Sequence, residues 1–254
     1  MARYQVILAY DGTLFAGFQR QARSRTVQGE VEAALRQLGW QGRAILAAGR
    51  TDTGVHASGN VVAFDLDWKH SNAELLQAMN AKLPVDVAAQ AAHQVGAGFH
   101  PRYDAQARLY RYRLICQPAR NPLRERFAWR VWPEVEPERL KAAARVFLGT
   151  HDFCAFGAPT RPGSGTVRAV YASDWQAETD ELVYEIQGNA FLYHMVRRIV
   201  FLQVLVGWGR LDPEVLESGV NCGTMQTPGL APAQGLTLVE VTYPSQAEPQ
   251  RLVT

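Results

Sequence analysis

Residues 47–64 read Ala47-Ala-Gly-Arg-Thr-Asp-Thr-Gly-Val-His-Ala-Ser-Gly-Asn-Val-Val-Ala-Phe64. An apolar run, Ala44 to Ala48, leads in, and a second, Val61 to Phe64, leads out. The polar knot between them carries glycine at 49, 54 and 59. That pattern predicts a loop joining two buried strands, one that presents side chains and lets a partner come close to its backbone. Asp52 is the knot's only carboxylate, with Arg50 two residues before it and His56 four after. An Asp in such a turn commonly caps the backbone, so a chemical role for Asp52 depends on what the rest of the chain brings to it.

Working outward, Arg3 to Tyr10 is rich in strand formers, and Asp11-Gly12 turns the chain. Thr26 is placed to cap a helix whose apolar residues, Val27, Val31, Leu35 and Leu38, recur at helical spacing. After the two strands of the Asp52 loop, Ser71-Asn72-Ala73-Glu74 spells a capping box. It opens a helix with Leu75, Met79 and Leu83 on one face, stopped by Pro84. Val85 to Val95 predicts a further strand. The order is β-α-β-β-α-β, the split βαβ of ferredoxin-like domains.

The second half alternates in a broadly similar way. Ala107 to Ile115 predicts a strand, followed by a connection broken by Pro118, Pro122 and Pro133. A helix is expected around Leu140, Ala144, Phe147 and Leu148, and strands over Thr166 to Gln176, Leu182 to Gln187 and Leu236 to Tyr243. The loop Ala158 to Gly165 and the polar tail after Pro244 look unstructured. The longest helix is expected over Asn189 to Gly207. Met195, Ile199, Leu202 and Val206 form one apolar face of it, and Tyr193, Arg197, Phe201, Val204 and Trp208 lie roughly opposite. A helix apolar on both sides is buried on both sides. A guanidinium on such a face either meets an anion or snorkels to solvent.

Composition narrows the class. The 254 residues suffice for a sizeable core, and 47% hydrophobic with 20% charged is ordinary for a globular chain. Net charge is only +2, yet of 26 basic residues just three are Lys (Lys69, Lys82, Lys141) and the rest are Arg. Eight Arg, from Arg102 to Arg130, crowd one segment whose own acids are Asp104 and Glu125. Such a stripe points to a polyanion partner or to a solvated charged face. Three scattered cysteines indicate neither a zinc site nor a disulfide framework and fit a reducing, cytoplasmic setting. The N-terminus has no signal-peptide core, and the longest apolar run, Ile199 to Val206, is too short to span a bilayer.

The candidate chemistry starts at Asp52. Asp52-Thr53-Gly54 is also the aspartic-protease tripeptide, but that chemistry needs two carboxylates, and a single copy would require a site shared between subunits. No Walker loop or dinucleotide fingerprint occurs. His56 has no serine or cysteine placed with it in a nucleophile motif and reads as a structural hydrogen-bonder in the turn instead of a general base, and His194 reads equally as a buried, satisfied histidine. Tyr110 and Tyr112 share one face of a strand and Arg111 and Arg113 the other. Strand aromatics serve either as stacking platforms for unpaired bases or as ordinary half-buried sheet residues.

Taken together, the motifs resemble the bacterial tRNA pseudouridine synthase A family over nearly the whole chain, from Tyr10 to Tyr243. The matching segments are Tyr10 to Gln19 (with Phe18 in place of the usual Trp), Arg25 to Glu30, Gly49 to His56, Phe99 to Arg102, Arg108 to Tyr112, His151 to Phe153, Asn189 to Arg197 and Ala231 to Leu236. The resemblance implies an α+β fold of two ferredoxin-like halves, residues 1–104 and 105–254. They would share a joined, mainly antiparallel sheet with helices on one side and a central cleft. It implies an isomerase converting uridine to pseudouridine at tRNA positions 38, 39 and 40, a homodimer, and no cofactor. Asp52 aligns with the nucleophile, Tyr110 with a tyrosine that stacks on the target base, Arg50 with a base-flipping arginine and Arg197 with the aspartate's partner. Arg102, Arg108 and His56 fall within matching motifs as substrate-binding candidates. Tyr193, Arg198, Phe201 and Gln234 depart from the residues usual there, and Phe201 shares the face of Arg197. The alternative is a non-catalytic RNA-binding module on the same scaffold, which makes no demand on Asp52.

Overall fold

The structure is a computed structural model that describes residues 1–159, 163, 165–223 and 227–244. The polar tail and part of the loop before Val167 therefore lie outside the described residues. Among them are five α-helices, and ten strands form one mainly antiparallel sheet. None of these helices is long and apolar enough to cross a membrane.

Strand β1 (Ala2–Tyr10) buries Tyr4, Val6, Leu8 and Tyr10, every second residue, against one face. Helix α1 (Val27–Gln37) starts where the Thr26 hydroxyl accepts from the Gly29 amide at 3.3 Å, and sets Val27, Val31 and Leu35 on that face. Helix α2 (Asn72–Asn80) begins with the full capping box: Glu74 donates its amide to Ser71 Oγ and accepts from the Ser71 amide. Its Leu75 and Met79 complete the first core. Strands β2 (Leu46–Ala47), β3 (His56–Leu66) and β4 (Val87–Val95) give the order β4-β1-β3-β2, with every pairing antiparallel. This is the split βαβ arrangement expected from the sequence.

The second half repeats it. Strands β5 (Ala107–Cys116), β8 (Val167–Glu178), β9 (Glu181–Gly188) and β10 (Leu236–Thr242) run β10-β5-β9-β8, again antiparallel throughout. Helices α3 (Pro137–Arg145), α4 (Met195–Gly207) and α5 (Pro213–Cys222) belong to this half, and α3 and α4 cover a second core around Tyr112, Trp175 and Tyr184. Short strands β6 (Trp129–Val131) and β7 (Gly149–Asp152) add to it.

The halves join at β3. Because β2 is only two residues long and pairs with Val62 and Ala63, the other end of the same β3 edge is open. Strand β10 takes it, in parallel, opposite His56 and Ala57. The edge of β3 is thus forked, and the Asp52 loop turns out of β2 into the fork. Gly59 makes the junction possible: a Cβ there would sit 2.1 Å from the Val239 carbonyl oxygen.

The long helix differs from expectation. It begins at Met195, not Asn189. Asn189 is held as a turn, its side-chain oxygen accepting from the Ala169 and Ala190 amides, and Tyr193 forms an isolated bridge with Ala158. His194 then opens the helix at φ 65, left-handed. The freed segment, residues 190–194, lines the cleft. Phe147 and Leu148 follow α3 instead of belonging to it, and α5 was not anticipated although Asp212 caps it ahead of Pro213. Phe201 is accommodated: it stacks on Trp129, and Gly229, at φ 135, leaves its ring room where a Cβ would come within 2.0 Å.

Gly59→Ala should lower unfolding stability by about 1–3 kcal/mol, the usual cost of overpacking. Ser58→Ala next to it should stay within about 0.5 kcal/mol of wild type. Equal thermal melts for the two variants would mean that the β3–β10 junction does not depend on the missing side chain.

Candidate active site

The Asp52 loop is tied down before it presents anything. The Ala48 amide donates to Val61 O at 2.8 Å. The Asn60 side chain grips both backbone groups of Gly49, accepting from its amide at 3.2 Å and donating to its carbonyl at 3.1 Å. The same amide nitrogen reaches Tyr10 Oη, which bonds Thr51 Oγ1 at 2.8 Å. Tyr10 and Asn60 are buried, and burial pushes the Tyr10 phenol well above its ordinary range. From outside, residues 15–18 clasp the loop: Phe18 N donates to Thr51 O at 3.0 Å. Gly17, at φ 93, lies against the Thr51 carbonyl where a Cβ would be at 3.0 Å. The backbone around Asp52 therefore has almost no freedom.

Asp52 opens into a cleft of about 660 Å³ lined from both halves. One wall is Ala16 to Gln19 with the loop itself; the other is Ala190 to Arg197, with Tyr110 and Arg108 between. Arg197 Nη1 lies 3.4 Å from Asp52 Oδ2, while its Nε donates to Ala231 O at 2.8 Å. Of the two outcomes open to the arginine of the long helix, it meets an anion instead of snorkelling to solvent. Both side chains are mostly buried, 14% exposed for Arg197 and 19% for Asp52. Tyr110 stands at the cleft wall, its ring edge-on to Phe191 at 5.2 Å between centroids. Burial pushes its phenol up to about 12, with Arg108 opposing and Asp52 adding to the rise. Across the pH range of ordinary handling it is a neutral ring.

The other candidates divide. Arg50 and Arg102 line the cleft. Arg108 also borders it, but its guanidinium is buried and donates to the carbonyls of Arg102 (2.7 Å), Ala105 (3.3 Å) and Asn189 (2.6 Å). It works as a brace between the chain entering β5 and the chain leaving β9. His56 does not line the cleft. Its Nδ1 accepts from the Gly12 amide at 3.0 Å, its ring packs beneath Phe127, and burial lowers its pKa despite nearby Asp11.

The sequence gives His194 no partner and leaves it equally a buried, satisfied histidine. Its Nε2 lies 3.5 Å from Asp52 Oδ2, the oxygen that Arg197 approaches. Helical spacing could not show this, because the left-handed turn at residue 194 lies outside the helix.

The arginine stripe also changes meaning. Arg111 pairs with Glu185, Arg113 with Glu181, Arg124 with Asp180 and Glu181, Arg126 with Asp11, and Arg120 and Arg130 with Glu125. Most of these acids are distant in sequence, so counting charges within the segment overstated its free charge. The cleft is where positive charge dominates. Among its described lining residues Asp52 is the single carboxylate, against Arg50, Arg102, Arg108 and Arg197.

A pinned carboxylate, cations around it and a flat aromatic wall suit covalent attack on a planar, anion-bearing substrate. The family model for tRNA pseudouridine synthase matches residues 6–104 and 143–244. A protein of Limosilactobacillus fermentum is 38% identical over 256 residues, covering 98% of this chain and 99% of its own length. Proteins of Methylobacterium nodulans and Shouchella clausii are each 39% identical over 97% and 96% of this chain, and 98% and 94% of theirs. All three bear the name tRNA pseudouridine synthase A. The chain belongs to the tRNA pseudouridine synthase family.

Proposed function

We propose that this protein isomerises uridine to pseudouridine in tRNA, at positions 38, 39 and 40 of the anticodon stem-loop, with Asp52 as nucleophile. The observation that carries the reading is Asp52, the one carboxylate among the described lining residues of a cationic cleft, beside Tyr110. The reaction breaks the C1′–N1 bond, turns the uracil and joins C5 to C1′. The C5 proton is lost and N1 gains one, so no electrons are exchanged with a co-reactant. A stacked uridine is inaccessible, so it is first extruded, an exchange that stacking against an aromatic ring offsets. Tyr110 supplies that ring, and Arg50 occupies the space the base leaves. Asp52 attacks C1′ or C6 as a carboxylate, and Arg197 holds it in line. Arg102 meets backbone phosphate, and Arg108 keeps its brace. His56 acts on the substrate only through the loop that it steadies.

In this reading residues 1–104 carry the Asp52 loop and residues 105–254 supply Tyr110 and Arg197, so neither half holds a complete site. The protein works as a cytoplasmic homodimer on a substrate larger than one cleft.

Asp52→Asn keeps the shape and removes the nucleophile. It should abolish tritium release from 5-tritiated uridine in tRNA while leaving tRNA affinity within about threefold. Turnover retained in the purified variant would remove Asp52 as the nucleophile, whereas a wild type that binds tRNA and forms no pseudouridine would favour the non-catalytic binding module. The distribution of charge gives a second expectation. Arg50→Ser and Arg102→Ser should each weaken tRNA binding at least tenfold and reduce its salt dependence by about one counterion. Arg124→Ser, away from the cleft lining and held by Asp180 and Glu181, should change affinity less than twofold. The reverse ranking would return binding to the stripe.

A further inference from the structure

We infer that His194 is a positioning residue for Asp52: with Arg197 it holds carboxylate oxygen Oδ2 and fixes the plane in which the nucleophile is presented. The inference rests on the proposed reaction but concerns a residue to which that reading gives no task.

The placement of His194 is specific. Its backbone is left-handed, φ 65 and ψ 0, a conformation costly for a residue with a side chain. Such strain persists only where the surroundings impose it. The Tyr193 amide donates to Ala158 O at 2.9 Å, and Ala158 N donates back to Tyr193 O at 3.3 Å, so the preceding residue cannot swing. The following turn is committed to α4, where Arg198 N donates to His194 O at 2.9 Å. Between these anchors the left-handed turn throws the imidazole into the cleft instead of along the helix. The Tyr193 ring stacks on it, 3.6 Å between centroids and 26° between planes, closing one face of the imidazole.

What remains is the ring edge, and its Nε2 lies 3.5 Å from Asp52 Oδ2. Arg197 Nη1 reaches the same oxygen at 3.4 Å from one turn further along. Two donors converging on one carboxylate oxygen stop the carboxylate from rotating; one donor alone would let it pivot. Both distances are long for hydrogen bonds, as they often are before substrate closes a site. Burial and Arg197 disfavour a charged imidazole more than Asp52 favours it. In the neutral ring, Nε2–H is the donor when Nδ1 is the bare nitrogen. The role asked of the side chain is therefore to donate one hydrogen bond, with no transfer of the proton.

The test uses two variants of the full-length protein. His194→Gly removes the ring and suits the left-handed backbone, so folding should be spared. Its melting temperature should equal or exceed that of wild type, and tRNA affinity should stay within twofold. Its kcat for pseudouridine formation should fall 10- to 100-fold with KM little changed. His194→Gln restores a donor of similar reach and should recover at least fivefold of that loss. A kcat for the Gly variant within twofold of wild type would overturn the assignment. So would a Gln variant no better than Gly, since that points to a property of the ring other than its hydrogen bond. If wild type itself forms no pseudouridine, the proposed reaction fails and not this role; a loss confined to KM would make His194 a binding residue instead.

Discussion

One edge of strand β3 is taken by β1, and two strands compete for the other. Strand β2 takes the Val62–Ala63 end and β10 the His56–Ala57 end, and everything at the site follows from the parting between them. A longer β2 would exclude β10 and separate the halves. A longer β10 would displace β2 and leave the loop no root. Two residues settle the contest. Gly59 offers β10 a surface without a side chain, and Asn60 turns inward to replace, with its own amide, the ladder bonds that Gly49 gives up. The polar chain from Asn60 through Tyr10 to Thr51 is buried and connected, which is the condition under which buried polar groups rigidify instead of destabilise.

The fork also explains how one carboxylate comes to be surrounded by groups from the far half. Arg197 and His194 belong to the chain that returns from β9 toward β10, and Tyr110 sits on β5, the other neighbour of β10. The same parallel pairing that joins the sheet brings these elements to the mouth of the Asp52 loop. Removing one partner from a largely desolvated ion pair typically costs more than the pair contributes. Asp52 and Arg197 are thus mutually dependent, and Arg50, Arg102 and Arg108 add positive charge to the cleft lining.

Much of this was legible in the sequence, and the failures share a cause. The first half announced itself through alternation in β1, the cap at Thr26 and the box at Ser71, all local signals. Motifs singled out Asp52, Tyr110 and Arg197, with Arg197 marked independently as a charge on an apolar helix face, and the three line one cleft. His194 was missed because its position depends on a left-handed turn imposed by Ala158, thirty-odd residues earlier. The stripe from Arg102 to Arg130 left a polyanion partner and a solvated face both open, because most of the acids that pair with it, Asp180, Glu181, Glu185 and Asp11, are contributed by pairing across the sheet and between the halves. His56, beside the loop in sequence, faces the other way because it is the first residue of a strand, not the last of the loop. Local chemistry reads well along a chain; charge balance and orientation are properties of the assembled sheet.

The central claim is that the cleft receives an extruded uracil between the pinned Asp52 carboxylate and the Tyr110 ring. It is tested most directly by a crystal structure with an anticodon stem-loop carrying 5-fluorouridine at the target position. The account predicts the modified base inside the cleft, its face on Tyr110, with an Asp52 oxygen bonded to C1′ or C6 or within about 3.5 Å of one of them. A base still stacked in the RNA, or one bound in the cleft with Asp52 turned away from both carbons, would contradict it.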